Sequence, residues 1–277
     1  MGFDLAQALL PAAVMTAVSL VFSVLLVTLG RKFAVHAPPG FSEVRELLPG
    51  INCGACGFAG CDEFAKALAE GRAEYTACRP LSPKGAEGLS QLLGGGSGVE
   101  QETVAVVACN GGNDCENKYD YQGYGDCRSA ELLAGGIKAC PSGCIGKGTC
   151  VDVCHFFAIE VNGKGVAEVA RENCVSCGFC IKDCPKGIIR RIPRSAKVYI
   201  NCSTYCKAND VRSICKTGCI ACGICARVCP ENAIEMVDNL PVIDYKKCTG
   251  CEICAQKCPV KCIAIVPQEE AAVSSAG

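Results

Sequence analysis

Apolar residues are distributed unevenly along this chain. No residue from Leu5 to Gly30 is charged, and Ala8 to Leu29 is an apolar run broken only by Thr, Ser and one Pro. At about 1.5 Å rise per residue this run predicts a helix of roughly 33 Å, the thickness of a bilayer core. Arg31 and Lys32 follow it directly, whereas Asp4 is the only charge before it. That asymmetry predicts a single pass with the amino terminus outside and the remaining chain in the cytoplasm. A cleaved signal peptide would carry a basic leader and a shorter apolar stretch, and neither is present. Small residues along the helix (Ala12, Ala13, Thr16, Ala17, Ser19, Ser23) suit packing against another membrane helix.

Beyond the anchor the pattern becomes short-ranged. A turn at Pro38, Pro39 and Gly40 is followed by a glycine-rich cysteine segment and then DEFAKALAEGRA, whose spacing predicts an amphipathic helix. Gly94–Gly98 (GGGSG) reads as a flexible linker. Two apolar runs, TVAVVAC ending at Cys109 and KVYINC ending at Cys202, open two similar units. Only short strands, tight turns and helices of one or two turns fit within them. The expected fold is α+β: one transmembrane helix, a small four-cysteine domain and two bacterial-ferredoxin-like modules. The expected boundaries are 1–35 (anchor), 36–93 (four-cysteine domain), 94–103 (linker), 104–196 and 197–266 (modules), and 267–277 (tail).

Composition then decides the chemistry. The chain has 277 residues, of which 27 are cysteine. A short secreted chain with that fraction would read as a disulfide scaffold. Here the chain is long, the count is odd, and the cysteines sit in tight CxxC runs that suit a metal centre better than distant bridges. A cytoplasmic location also keeps thiols reduced. The formal net charge of -1 treats thiols as neutral; each oxidised [4Fe–4S] core with four thiolates adds about two negative charges. Lys182, Lys186, Arg190, Arg191, Arg194 and Lys197 lie near the motifs, either offsetting that charge or forming ordinary solvated surface. There is no nucleic-acid signal.

The first cysteine set is Cys53-x2-Cys56-x4-Cys61, with Cys78 further on. Its glycines (Gly54, Gly57, Gly60) let the backbone wrap closely around a compact inorganic core. Four soft thiolates suit zinc or a [4Fe–4S] cluster. The motif looks like the four-cysteine domain of corrinoid iron–sulfur proteins, which implies iron.

The strongest signal is C-x2-C-x2-C-x3-C-P. It occurs at Cys174, Cys177, Cys180, Cys184 and Pro185, at Cys219, Cys222, Cys225, Cys229 and Pro230, and at Cys248, Cys251, Cys254, Cys258 and Pro259. In bacterial ferredoxins the first three cysteines of such a run ligate one cluster and the fourth ligates the other. Carried over, this implies one cluster on Cys219, Cys222, Cys225 and Cys258 and another on Cys248, Cys251, Cys254 and Cys229. In the earlier module Cys174, Cys177 and Cys180 take Cys154. Its partner departs from the pattern, because Lys147 stands where the middle cysteine belongs. Cys144, Cys150 and Cys184 therefore need a fourth ligand. Cys140 is nearest in sequence, a distant thiol such as Cys127 is the alternative, and a [3Fe–4S] cluster is a third possibility.

Among the remaining cysteines (Cys109, Cys115, Cys127, Cys140, Cys202, Cys206, Cys215, Cys262), Cys109 matches Cys202 across the repeat and Cys140 matches Cys215. The match favours an extra cluster between the modules, drawn from Cys109, Cys115, Cys127, Cys202 and Cys215 with Cys140. The total is six clusters with it and five without, the rest then being buried thiols. Cys150, Cys154 and His155 make CxxxCH, one residue too long for haem attachment. His36 and His155 are read as structural. No GxGxxG follows an expected strand, there is no P-loop, and no nucleophile–base pair stands out, so NAD has no site in this chain.

One membrane helix, a four-cysteine domain, an NGG…DC…GC segment and two ferredoxin-like modules, in that order, resemble the RnfB subunits of Rnf complexes from about residue 5 to 266. Those complexes are ion-translocating ferredoxin:NAD oxidoreductases. The resemblance implies an electron-transfer subunit that accepts electrons from soluble reduced ferredoxin. It would relay them to membrane subunits and on to a separate NAD-binding subunit, while Na⁺ or H⁺ crosses the membrane. Two other readings are a stand-alone membrane-tethered polyferredoxin and a structural zinc protein.

Overall fold

The computed structural model describes residues 5–32, 38–94 and 102–266. Asp4, His36, most of the expected 94–103 linker and the 267–277 tail lie outside the described residues. The expected apolar helix is α1 (Leu5–Lys32). Its segment Ala13–Lys32 has a mean hydropathy of 2.3 and none of it is buried, so by length and composition it can cross a membrane. Arg31 and Lys32 form its last turn.

The next unit is helical. α2 (Phe41–Leu47), α3 (Cys61–Ala69) and α4 (Pro83–Leu93) close over Val44, Leu48, Phe64, Leu68 and Leu89. The amphipathic pattern from Asp62 puts Phe64, Ala65 and Leu68 on one buried face, as expected. α4 starts where Ser82 accepts a hydrogen bond from the Gly85 N–H and Pro83 occupies the first turn, where its missing N–H costs nothing.

The rest of the chain forms two units of the same topology. The first runs β1 (Thr103–Val107), α5 (Cys127–Leu132), α6 (Thr149–Asp152), β2 (Ile159–Val161), β3 (Ala167–Val169), α7 (Phe179–Asp183) and β4 (Ile189–Pro193). The second runs β5 (Val198–Ile200), α8 (Ala208–Ile214), α9 (Ile224–Arg227), β6 (Ile234–Val237), β7 (Leu240–Ile243), α10 (Ile253–Gln256) and β8 (Ile263–Ile265). In each, the opening strand pairs antiparallel with the closing one, Val107 with Ile189 and Ile200 with Ile263. An inner hairpin, β2–β3 or β6–β7, packs within. Two-stranded ribbons of three to five residues are marginal on their own. The cores accordingly include cysteines: Cys144, Cys150, Cys174 and Cys180 lie among the apolar side chains of the first unit, and Cys219, Cys225 and Cys254 among those of the second.

Four cysteine loops share one backbone. Each turns left-handed twice, at Gly146 and Gly148, Ser176 and Gly178, Ala221 and Gly223, and Gly250 and Glu252. Such alternation converges successive N–H groups into a concave nest suited to an anion. Ser176, Ala221 and Glu252 adopt this conformation despite a cost of roughly 1–2 kcal/mol per residue. A further left-handed residue follows each fourth-position cysteine, at Phe157, Gly187, Asn232 and Lys261.

Gly146 has a φ of 75°, and a Cβ placed there would collide with the Gly165 carbonyl oxygen, a backbone atom that no side-chain movement clears. Gly146→Ala should cost about 2–4 kcal/mol through backbone strain and displacement of that carbonyl. The apparent melting temperature should fall by several degrees. Gly163→Ala, where nothing lies within 4 Å, should leave it nearly unchanged. Equal melting curves for both variants would contradict this account.

Candidate metal centres

None of the 27 cysteines is in a disulfide, and Cys251 alone is exposed. Most of them gather into six groups. In the helical unit Cys53, Cys56, Cys61 and Cys78 lie close together. Asn52 orients the loop by accepting from the Cys61 N–H at 2.8 Å. Burial pushes the Cys78 thiol up to about 12, and Cys56, Cys53 and Cys61 add to it.

Cys154, Cys174, Cys177 and Cys180 form a second group, where burial and then the other three sulfurs push Cys180 up to about 12. In the second module, Cys229, Cys248, Cys251 and Cys254 line a cavity with about 350 Å³ of space free of atoms. Cys219, Cys222, Cys225 and Cys258 line another of about 310 Å³. The Cys154, Cys229 and Cys258 sulfurs each accept a backbone N–H at 3.3–3.4 Å, from Ala158, Ala233 and Cys262.

The structure departs from the sequence expectation at the motif interrupted by Lys147. A cavity of about 340 Å³ is lined by Cys127, Cys144, Cys150 and Cys184, and Cys140 is not part of it. Two contacts bring Cys127 there. Asp126 caps α5 by accepting from the Ser129 N–H, which starts the helix at Cys127. The Cys127 N–H then donates to the buried Thr149 hydroxyl at 2.8 Å, beside Cys150. Cys127, the distant alternative, therefore lines this cavity with the other three thiols, and Asp126 before it is the local signal for that placement. Burial pushes Cys150 up to about 12, with Cys144, Cys127 and Cys184 adding.

Cys140 instead lines about 430 Å³ of atom-free space between the modules, partly open to solvent, together with Cys109, Cys115, Cys202, Cys215 and, from the neighbouring set, Cys144. Cys115 and Cys215 are backbone bridge partners. The Cys115 thiol hydrogen-bonds to both Cys140 and Cys215, which lowers those two and raises Cys115. Cys109 accepts from the Cys144 N–H and Cys202 from the Cys219 N–H, each at 3.4 Å, so the repeat match is reproduced in three dimensions. Cys206 and Cys262 do not line that space. Cys262 is 2 % exposed, its sulfur 3.7 Å from that of Cys258. His155 packs edge-on against Phe179.

The groups follow one another. Cys177 feels the charge of Cys53, Cys150 that of Cys180, Cys144 that of Cys109, and Cys202 those of Cys109 and Cys219. The helical unit's set therefore adjoins the Cys174 set, then the Cys144 set, then the inter-module thiols, then the second module. Nearby cations are built into these loops. Arg191 donates to the Ser176 and Cys177 carbonyls, Arg194 to the Arg171 and Cys174 carbonyls, and Arg227 to the Cys222 carbonyl. Lys186 pairs with Glu131.

Among the described residues no three His, Cys, Asp or Glu side chains converge closely enough to hold a single metal ion. A tetrahedral zinc site with Zn–S of about 2.3 Å would hold its sulfurs about 3.8 Å apart. Sets of thiols around such cavities, several of whose sulfurs accept backbone N–H groups, fit a multi-iron core with inorganic sulfide. The fold and these sets define an iron–sulfur protein of the ferredoxin class with an apolar helix able to cross a membrane.

Comparisons with known proteins agree. Residues 48–80 match a family described as a putative Fe-S cluster, and residues 143–188 and 218–262 match the 4Fe-4S dicluster domain. The chain is 38% identical over 242 residues to the B subunit of the Na(+)-translocating ferredoxin:NAD(+) oxidoreductase complex of Acetobacterium woodii, covering 86% of this chain and 72% of that one. It is 37% identical over 258 residues to the B subunit of the ion-translocating oxidoreductase complex of Methanosarcina acetivorans, covering 93% and 95%. Its counterpart in the proton-translocating ferredoxin:NAD(+) oxidoreductase complex of Clostridium ljungdahlii is 37% identical over 235 residues, covering 83% and 82%. The chain belongs to the RnfB family, a subunit family of the ion-translocating Rnf oxidoreductase complexes.

Two outcomes follow from the geometry. Cys127→Ser should lower iron by about four per chain with matching sulfide, whereas Cys206→Ser should leave both unchanged. Because cluster formation displaces protons from thiols that burial has pushed up to about 12 at Cys78, Cys150 and Cys180, reconstitution of apo-protein should recover more iron at about pH 8.5 than at about pH 7. A flat profile would show that burial does not hinder loading.

Proposed function

We propose that this chain accepts electrons from reduced ferredoxin on the cytoplasmic side and relays them to membrane subunits of an Rnf-type complex, towards a separate NAD-binding subunit. The observation that carries the reading is the succession of cysteine sets, from Cys53–Cys78 in the unit next in sequence to α1 to Cys219 in the second module, whose core it shares with Cys248 and Cys254 beside the exposed Cys251. The proposed ligands are Cys53, Cys56, Cys61 and Cys78; Cys154, Cys174, Cys177 and Cys180; Cys127, Cys144, Cys150 and Cys184; Cys219, Cys222, Cys225 and Cys258; and Cys229, Cys248, Cys251 and Cys254. Four of Cys109, Cys115, Cys140, Cys202 and Cys215 hold a sixth cluster. When bound, [4Fe–4S] clusters supply one-electron exchange at low potential.

The protein's own residues perform the remaining tasks. Alternating left-handed turns aim N–H groups inward, and apolar neighbours such as Ile188 and Val198 keep water from the ligands. Cys251 is the accessible point at which a soluble donor meets the row. Arg31 and Lys32 hold the last turn of α1 at the cytoplasmic face. Relatives named for Na⁺ and for protons match this chain over most of their length. The coupling ion is accordingly selected in the complex's other subunits.

The full-length protein purified anaerobically should contain about 24 irons, four for each of six clusters, with equal sulfide and no zinc. About 20 would remove the inter-module cluster, and zinc with little sulfide would overturn the whole reading. In the assembled complex, Cys177→Ser or Cys251→Ser should each remove one cluster and abolish ferredoxin-dependent NAD reduction. Unchanged turnover in either would take that set off the main path.

A further inference from the structure

Two lysine side chains are buried beside cysteine cavities, and they are partnered differently. Lys186, with its side chain 6 % exposed, pairs with Glu131 at 2.7 Å, so its charge is balanced by a carboxylate. Lys138 is also 6 % exposed. Its Nζ donates only to backbone carbonyls, Gly112 at 2.8 Å and Cys115 at 3.5 Å. Among the described residues it makes no ion pair. A buried ammonium without a counter-ion is strongly unfavourable.

The surroundings identify the missing negative charge. Gly112 and Cys115, whose carbonyls Lys138 holds, both line the inter-module cavity, and so do Cys140 and Gly143 on Lys138's own segment. Lys138 thus stands directly behind the wall formed by Cys115 and Cys140. A [4Fe–4S] core on four thiolates is an anion of about two charges and gains another on reduction. The repeat is asymmetric at this point. Two residues before Cys140 stands Lys138, and two residues before its mate Cys215 stands Ser213.

We propose that Lys138 is the built-in counter-charge of the inter-module cluster and raises its midpoint potential by favouring the reduced, more negative state. This rests on the sixth cluster assigned above. One electron enters the cluster, and no bond is made or broken. Lys138 is a positioning residue, acting through charge behind the ligand wall and through the Cys115 and Gly112 carbonyls it fixes.

The test is an EPR-monitored redox titration of the full-length holoprotein, with the inter-module signal identified by its loss in Cys140→Ser. Lys138→Gln keeps a donor for the carbonyls but removes the charge, and Lys138→Arg keeps the charge. The Gln variant should lower that one midpoint by at least a tenfold change in the reduction constant, about 59 mV for a one-electron couple, with the other signals unmoved. The Arg variant should titrate close to the unaltered protein. Loss of the cluster from the Gln variant with retention in the Arg variant would also support the charge. A Gln variant that titrates like the unaltered protein overturns the proposal and leaves the sixth cluster standing. Loss from both variants overturns it too, since packing would then be the cause. A holoprotein with about 20 irons and no signal removed by Cys140→Ser overturns the sixth cluster and this inference with it.

Discussion

Everything in the two modules depends on one interaction: backbone N–H groups and cysteine sulfurs gathered around a compact anionic core. A chain that must reach such a core from four sides within a few residues cannot do so in regular structure. It turns left-handed twice per loop, even at Ser176, Ala221 and Glu252 where a side chain makes that costly. The strands left over are three to five residues long and pair only in twos. Ribbons of that size do not stand alone. Their cores are completed by the cysteines and what the cysteines hold, so loading and folding are one process. Loading carries a cost of its own, because burial pushes the empty-state thiols up to about 12 at Cys150 and Cys180 and each must lose its proton to bind iron.

The loop at Lys147 separates the backbone requirement from the ligand requirement. Gly146 and Gly148 keep the same left-handed pair as the three complete motifs, although the middle cysteine is absent. The cradle is therefore retained, and the Asp126 cap and Thr149 place Cys127 on the cavity that Cys144, Cys150 and Cys184 line. In turn this frees Cys140 to join Cys109, Cys115, Cys202 and Cys215. Because Cys109 and Cys202 accept from the first ligand loops of their own modules, the inter-module group is tied to both sides. The two repeats are joined at their chemical centres rather than by a linker alone.

Features set by near neighbours are legible in the residues themselves. The apolar helix, the amphipathic α3, the opening strands at Thr103 and Val198 and the crossed cysteine motifs all depend on local pattern and on spacing. The thiol that lines the Lys147 cavity with Cys144, Cys150 and Cys184 is not, because proximity along the chain favours Cys140 while a long-range hydrogen bond to Thr149 holds Cys127 there. The inter-module group is half visible: the match of Cys109 with Cys202 and Cys140 with Cys215 points to it, whereas Cys115 has no mate in the second repeat. Its membership comes from the bridge to Cys215, a long-range pairing that no motif encodes.

The basic residues near the motifs show why composition alone leaves their part undecided. As sequence they divide between charge compensation and plain surface. In the structure Arg191, Arg194 and Arg227 donate to carbonyls of the cysteine loops themselves, at Cys177, Cys174 and Cys222. A guanidinium bound to a carbonyl keeps its full charge, whereas one bound to a carboxylate is neutralised. Arg191 and Arg227, fixed in this way, lie next to ligand loops and remain available to balance neighbouring anions, whereas Arg194 also pairs with Glu102. A row of closely spaced anionic centres repels itself, and each electron added makes this worse. Arginines held on the loop carbonyls reduce that repulsion without closing off the sulfurs, which lets successive sets lie close enough to act as a row.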